Sequence, residues 1–159
     1  MLQAILDTWR THHGISRYML DNIPDGGLGA VALLKGGQPG KGRDVARQFA
    51  HIVDVRIAHL RAGEKAVMKG VAPFEKGTSP SRAHLEAALD ASSRGVEALF
   101  ARIVASGELV RGCGPLRLLG YLISHESHHR GSIVLALKQN AIAPSEALRF
   151  GIWGKWSER

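Results

Sequence analysis

Apolar residues recur at helical spacing through four stretches of the chain, and glycine and proline are concentrated between them. The first stretch covers about 2–22, where Leu2, Ile5, Leu6 and Trp9 mark one face. The second covers about 43–67, with Asp44 or a neighbour at its N-cap. The third starts at Ser79-Pro80-Ser81, a capping serine followed by a proline suited to a first turn, and reaches about 105 through Leu85, Leu89, Val96, Leu99 and Phe100. The fourth runs from Pro115 to about Asn140, short of Pro144. Breaker segments occupy 24–42, 69–80 and 107–115. The pattern predicts an all-α fold, a four-helix bundle with a long connection between helices 1 and 2. A short strand around 30–34 is compatible with that connection, which either crosses over or roofs a site. The tail carries Phe150, Ile152, Trp153 and Trp156, so it is expected to fold back on the bundle or onto a partner chain.

Composition narrows the class. With 159 residues, 45 % hydrophobic and 22 % charged, the chain suits one domain over 1–159 and excludes a disordered or fibrous protein. The lone Cys113 excludes a disulfide framework and suits a reducing compartment. No apolar run approaches the ~20 residues of a membrane span. Asp7 and Arg10 interrupt any N-terminal signal core, so a cytoplasmic location is expected. The formal charge of +7 and pI near 10.1 raise the question of nucleic acid. The basic residues are dispersed, however, with no two adjacent and no nucleic-acid-binding motif, so no specific nucleic-acid partner is expected.

The chemistry concentrates in helix 4. Leu118, Leu122, His125, His129, Ser132 and Ala136 are spaced 4, 3, 4, 3, 4, the seam of a helix facing a bundle interior. Histidines at i and i+4 lie on one face, ~6 Å apart along the axis, and aim two imidazoles at one point. A buried ring without a partner costs ~1–3 kcal/mol, and a shared metal satisfies both. His125-Glu126-Ser127-His128-His129 also matches H-E-x-x-H, the zinc-peptidase pattern, in which Glu126 would be the general base. No suitable downstream ligand accompanies it, and the chain is small for a peptidase. A third ligand is sought among His51, His59, His84, His12 and His13. On a helical wheel His51 falls at the edge of the apolar arc of helix 2 and His59 nearer Ile52, and periodicity does not choose between them.

Two segments resemble the DinB/YfiT-like family of metal-dependent proteins. One is Gly42-Arg43-Asp44-Val45-Ala46-Arg47-Gln48-Phe49-Ala50-His51-Ile52, and the other is His125-Glu126-Ser127-His128-His129-Arg130-Gly131-Ser132-Ile133. The chain departs from the family pattern at Asp44, where Ser is usual, and at Ser132, where Gln is usual. The resemblance implies a three-histidine metal site of His51, His125 and His129, with His128 and Arg130 not ligands and His59 a surface or helix-end residue. It also implies a divalent ion, zinc or nickel, a low-molecular-weight thiol as cofactor or part of the substrate, and a homodimer.

Three neutral imidazoles leave an open coordination position, the mark of a catalytic site. The expected function is a metal-dependent transferase or hydrolase acting on a small molecule, a thiol or thiol conjugate. The alternative is a metal-binding stress or interaction protein without turnover. Glu126 is the candidate catalytic base. It sits ~100° round the helix from His125, a position compatible with solvent. Asp54 is placed to orient a ligand imidazole. Trp9 and Tyr18 are read as core, and Cys113 as a bystander.

Overall fold

Four long helices form where the apolar spacing predicts them: α1 (Leu2–Asp21), α2 (Val45–Gly63), α3 (Arg82–Ser106) and α4 (Pro115–Gln139). The structure, a computed structural model, describes residues 1–159 except Asp25, Lys35, 64–71 and 158–159. The last turn predicted for helix 2, to about 67, lies outside the described residues. Helices α1 and α2 both pack against α3 and α4, giving an all-α body with one small sheet. No helix among the described residues is long and apolar enough to cross a membrane.

The ends of the helices show which local signals win. Asp44 does cap α2, its Oδ1 accepting the Arg47 N–H at 2.7 Å. The cap of α3 is Ser81, not Ser79, and its side chain accepts the His84 N–H. Ser79 instead donates to Asp44 Oδ2, so Pro80 stands outside the helix as a spacer. Arg82 closes the opposite end of α1, donating to the carbonyls of Leu20 and Ile23. Helix α4 opens with Pro115 in its first turn, where a missing N–H is harmless.

The connection between α1 and α2 holds a β-hairpin, of which only the first strand was foreseen. Strand β1 (Val31–Leu33) pairs antiparallel with β2 (Pro39–Asp44), with an irregular register between Val31 and Leu33. Glycine and proline argue against a strand over 39–44, yet Pro39 sits at its first residue, where no ladder N–H is demanded. Gly36 (φ 87°) and Gly37 (φ 79°) supply the left-handed turn. The hairpin is tied to the end of α4, for Gln139 Oε1 accepts the Leu33 N–H at 2.7 Å and Asn140 Nδ2 donates to the Val31 carbonyl at 2.7 Å.

The buried stripe of α4 runs through Leu118, Leu122, Glu126, His129, Ile133 and Leu137. The predicted heptad seam is therefore offset. His125 and Ser132 flank the stripe rather than centre it, because a straight helix repeats every 3.6 residues and drifts from a 3.5-residue pattern. A glutamate occupies the stripe because Arg56 of α2 meets it. Arg56 Nε and Nη2 donate to the two Glu126 oxygens, each at 2.8 Å, and both side chains are fully buried. His12 Nε2 lies 3.0 Å from Glu126 Oε2, and Ser16 donates to the same oxygen. Arg56 also donates to Ser92 and the Leu89 carbonyl and lies 4.8 Å over the ring of Trp9, whose Nε1 donates to Ser93. Trp9 is core, as read from the sequence. This polar layer lies between two apolar clusters, one around Phe49, Val53, Leu89 and Ile133, the other around Trp9, Leu60, Phe100 and Leu122.

The tail does fold back. A π-helical turn (Ala147–Gly151) leads into α5 (Ile152–Ser157), which packs on α1 over Tyr18. Gly151 is required there, since any side chain would run into the Tyr18 hydroxyl. The tail aromatics are nevertheless not hidden, with Phe150 59 %, Trp153 66 % and Trp156 44 % exposed. A groove of about 380 Å³ opens beside Trp153 and Trp156, walled by Ile15, Met19 and Val134.

Removing one partner of a buried ion pair strands the other, at about 3–5 kcal/mol. Glu126→Gln is therefore expected to lower stability to urea by about that amount. Arg56→Met combined with Glu126→Leu should recover most of the loss. A cost below about 1 kcal/mol for the single change would mean that the pair does not hold α2 to α4.

Candidate metal centre

His51 sits in the second turn of α2, and His125 and His129 occupy successive turns of α4. Because these helices pack together, the three rings converge. Ring centroids lie 5.3 Å apart for His51 and His125, 4.8 Å for His51 and His129, and 4.5 Å for His125 and His129. One nitrogen from each ring falls within 4.8 Å of the other two. The structure thus brings together the three residues that the family resemblance singled out.

The donor chemistry suits a metal ion. His129 Nε2 faces His125 Nε2 at 3.2 Å. Two metal–imidazole bonds of ~2.0–2.1 Å at a tetrahedral angle place their nitrogens ~3.3 Å apart, so the pair is already spaced for one ion. The other nitrogen of His129 lies 2.6 Å from Gln48 Oε1. A carbonyl oxygen only accepts, so Nδ1 carries the proton and the Nε2 lone pair points into the cluster. Gln48 is one turn before His51 and was not singled out from the sequence. Its i−3 spacing on the ligand face of α2 was the available signal.

All three imidazoles are biased towards the neutral, ligating form. Burial, then the neighbouring His125 and His51 rings, push His129 down to about 4. His51 is lowered by burial and by Arg43, with Asp54 opposing. His125 is lowered chiefly by burial, with Glu126 opposing. Tyr121, one turn before His125, is half-exposed and stacks on it with centroids 5.9 Å apart and 14° between planes.

The expectations for Glu126 need correction. It does not face solvent, and both carboxylate oxygens are taken up by Arg56, His12 and Ser16 in the interior. Burial alone would raise its pKa, but Arg56 and His12 outweigh that and hold it well below the usual carboxylate range. A group so held is a poor base, and the geometry gives the H-E-x-x-H peptidase reading no support. Glu126 fixes α4 against α2, and with it His125 and His129 against His51.

Asp54 accepts the Phe74 N–H at 3.3 Å and makes no hydrogen bond to a cluster imidazole. His59 is neither at the surface nor a helix-end bystander. It is 5 % exposed, its ring centroid 5.1 Å from that of Tyr121, and its Nδ1 lacks a hydrogen-bond partner among the described residues. His12 and His13 belong to the interior polar layer, the latter 3.2 Å from Asp90. His84 lies exposed in the first turn of α3, and His128 is exposed beside His129. Arg130 donates to Ser16 and Ser127, away from the cluster. Cys113 is half-buried in a bridge with Val110.

No curated protein matches the chain. A family model described as DinB family matches residues 1–146. Because that match takes in all four long helices, the hairpin and the three converging histidines, the chain belongs to the DinB family.

Proposed function

We propose that the protein is a metal-dependent enzyme of the four-helix-bundle DinB type, with one divalent ion, zinc or nickel, held by His51, His125 and His129. The observation that carries this reading is the convergence of three neutral imidazole nitrogens within 4.8 Å. With three ligands among the described residues, a position remains for substrate, as in catalytic rather than structural sites. A bound ion there supplies Lewis acidity, making a thiol or water more acidic at neutral pH. The chain's own contribution is placement. Gln48 fixes the ring of His129, the Arg56–Glu126 pair sets the two ligand helices, and Tyr121 stacks on one side of His125. The substrate class proposed from the family resemblance is a small thiol or thiol conjugate, and the setting proposed is the cytoplasm.

Protein purified without an affinity tag is expected to hold one metal per chain. His51→Ala, His125→Ala and His129→Ala should each abolish stoichiometric metal with helical circular dichroism retained. Gln48→Ala should weaken affinity about 10–100-fold, and His128→Ala should change nothing. Loss of metal from His59→Ala or His128→Ala, but not from His51→Ala, would reassign the ligands.

Metal binding requires neutral rings, so protons compete with metal from below the imidazole pKa values. Those values are lowered, that of His129 to about 4, so affinity should hold near pH 7 and fall as the pH drops from ~6 towards 4. Equilibrium dialysis across that window tests the sign. Half-release near pH 7, or affinity unchanged down to ~4, would point to other ligands.

The exposed Phe150, Trp153 and Trp156 are proposed to lie in a homodimer interface, where aromatics are enriched. Light scattering is expected to return twice the 17.1 kDa chain mass, and a monomer across the micromolar range would remove the dimer.

A further inference from the structure

Beside His51 the cluster opens into a cavity of about 190 Å³ between β2, the first turns of α2 and the segment around Phe74. Arg43, Arg47 and Lys76 line it, set against Asp54 and Glu75. Arg47 uses its backbone N–H on Asp44, and neither Arg43 nor Arg47 has a side-chain ion-pair or hydrogen-bond partner among the described residues. Other described arginines, among them Arg61, Arg94 and Arg117, are likewise unpaired; what sets Arg43 and Arg47 apart is that both line the cavity that adjoins His51. Two guanidiniums lining one cavity offer planar forks shaped for an oxyanion.

Arg43 is the cation that acts on all three histidines, opposed by Asp54 at His51 and by Glu126 at His125. The ligand set itself contributes no negative charge. A divalent ion on three neutral imidazoles keeps its full charge, and among the described residues the cavity beside it adds three cations against two carboxylates. A neutral substrate would leave that excess uncompensated.

We infer that this cavity is an oxyanion-binding subsite, in which Arg43 and Arg47 receive a carboxylate or phosphate group of the substrate beside His51. The substrate is then a small anionic molecule, its charged end in the cavity and its reacting end at the histidines. The volume suits such a group and little more. This deepens the metal-centre reading and rests on it for the reacting end, while the subsite itself stands on the cavity and its arginines.

The experiment is calorimetric titration of the full chain, metal-loaded and metal-free, with succinate, inorganic phosphate and neutral succinamide. Succinate or phosphate should bind at one site per chain and weaken with added salt, and succinamide should not bind. Tighter binding of one oxyanion than of the other assigns the group as carboxylate or phosphate. Arg43→Ala and Arg47→Ala should each weaken that binding about tenfold, and Arg117→Ala, an exposed arginine on α4, should leave it unchanged. Urea midpoints and metal content measured on the same variants separate the two readings. Oxyanion binding lost with metal retained supports the subsite. Oxyanion binding by a chain that takes up no metal even when zinc or nickel is supplied supports the subsite and removes the metal centre. Metal held with no oxyanion bound at millimolar concentration overturns the subsite alone, as does binding by the arginine variants within twofold of the native chain, or succinamide binding as well as succinate.

Discussion

The buried pair of Arg56 and Glu126 is the constraint on which the site depends. It joins α2 to α4 with two charge-assisted hydrogen bonds, five residues after His51 in one helix and directly after His125 in the other. Three imidazoles drawn from two helices meet only if those helices keep a fixed rotation and height. Apolar packing alone tolerates sliding and rotation, whereas a bidentate guanidinium–carboxylate pair does not. The surrounding groups complete it, since His12, Ser16, Ser92 and the Leu89 carbonyl take up most of the remaining hydrogen-bonding capacity. A buried charge left without such partners would oppose folding. Here the same charges define one relative placement of the ligand helices.

The imidazole cluster itself works against a protein interior. Three nitrogen lone pairs brought together gain little from one another, and each ring is partly desolvated. The chain lowers their proton affinity through burial and through Arg43, and orients the proton of His129 with Gln48. These features make the cluster a poor place for protons and a good one for a divalent ion. The interior His12 and His13 are also lowered by burial, but each has one ring nitrogen within hydrogen-bond distance of a carboxylate, Glu126 and Asp90, instead of converging with other imidazoles.

Much of this was legible before any coordinates. Helix positions follow from apolar spacing and from proline and glycine, and His125 and His129 stand out because leucine is expected at their positions. What escaped is the polar half of the interior. Reading apolar periodicity treats a charged residue as a break in the stripe, so Glu126 stands out only as a possible base, and its interior pairing with Arg56, across 70 residues of sequence, is missed. Gln48 and Tyr121 escaped for a related reason, since each acts through a histidine one turn away. The strand over 39–44 was hidden by its glycines, because its pairing is set by the tie between the hairpin and the end of α4 and not by side-chain propensity.

The polar layer also divides the molecule. Apolar contacts gather into one cluster towards the hairpin and another towards the α3–α4 turn, with the ion pair and its serines between them. Cooperativity in a small protein is carried by continuous side-chain interdigitation, and here that continuity is interrupted at mid-height. Opening of the hairpin end thus need not drag the far cluster with it. The three converging histidines lie beside this boundary, so the hairpin end that adjoins them is expected to open at a lower free-energy cost than the scaffold behind it.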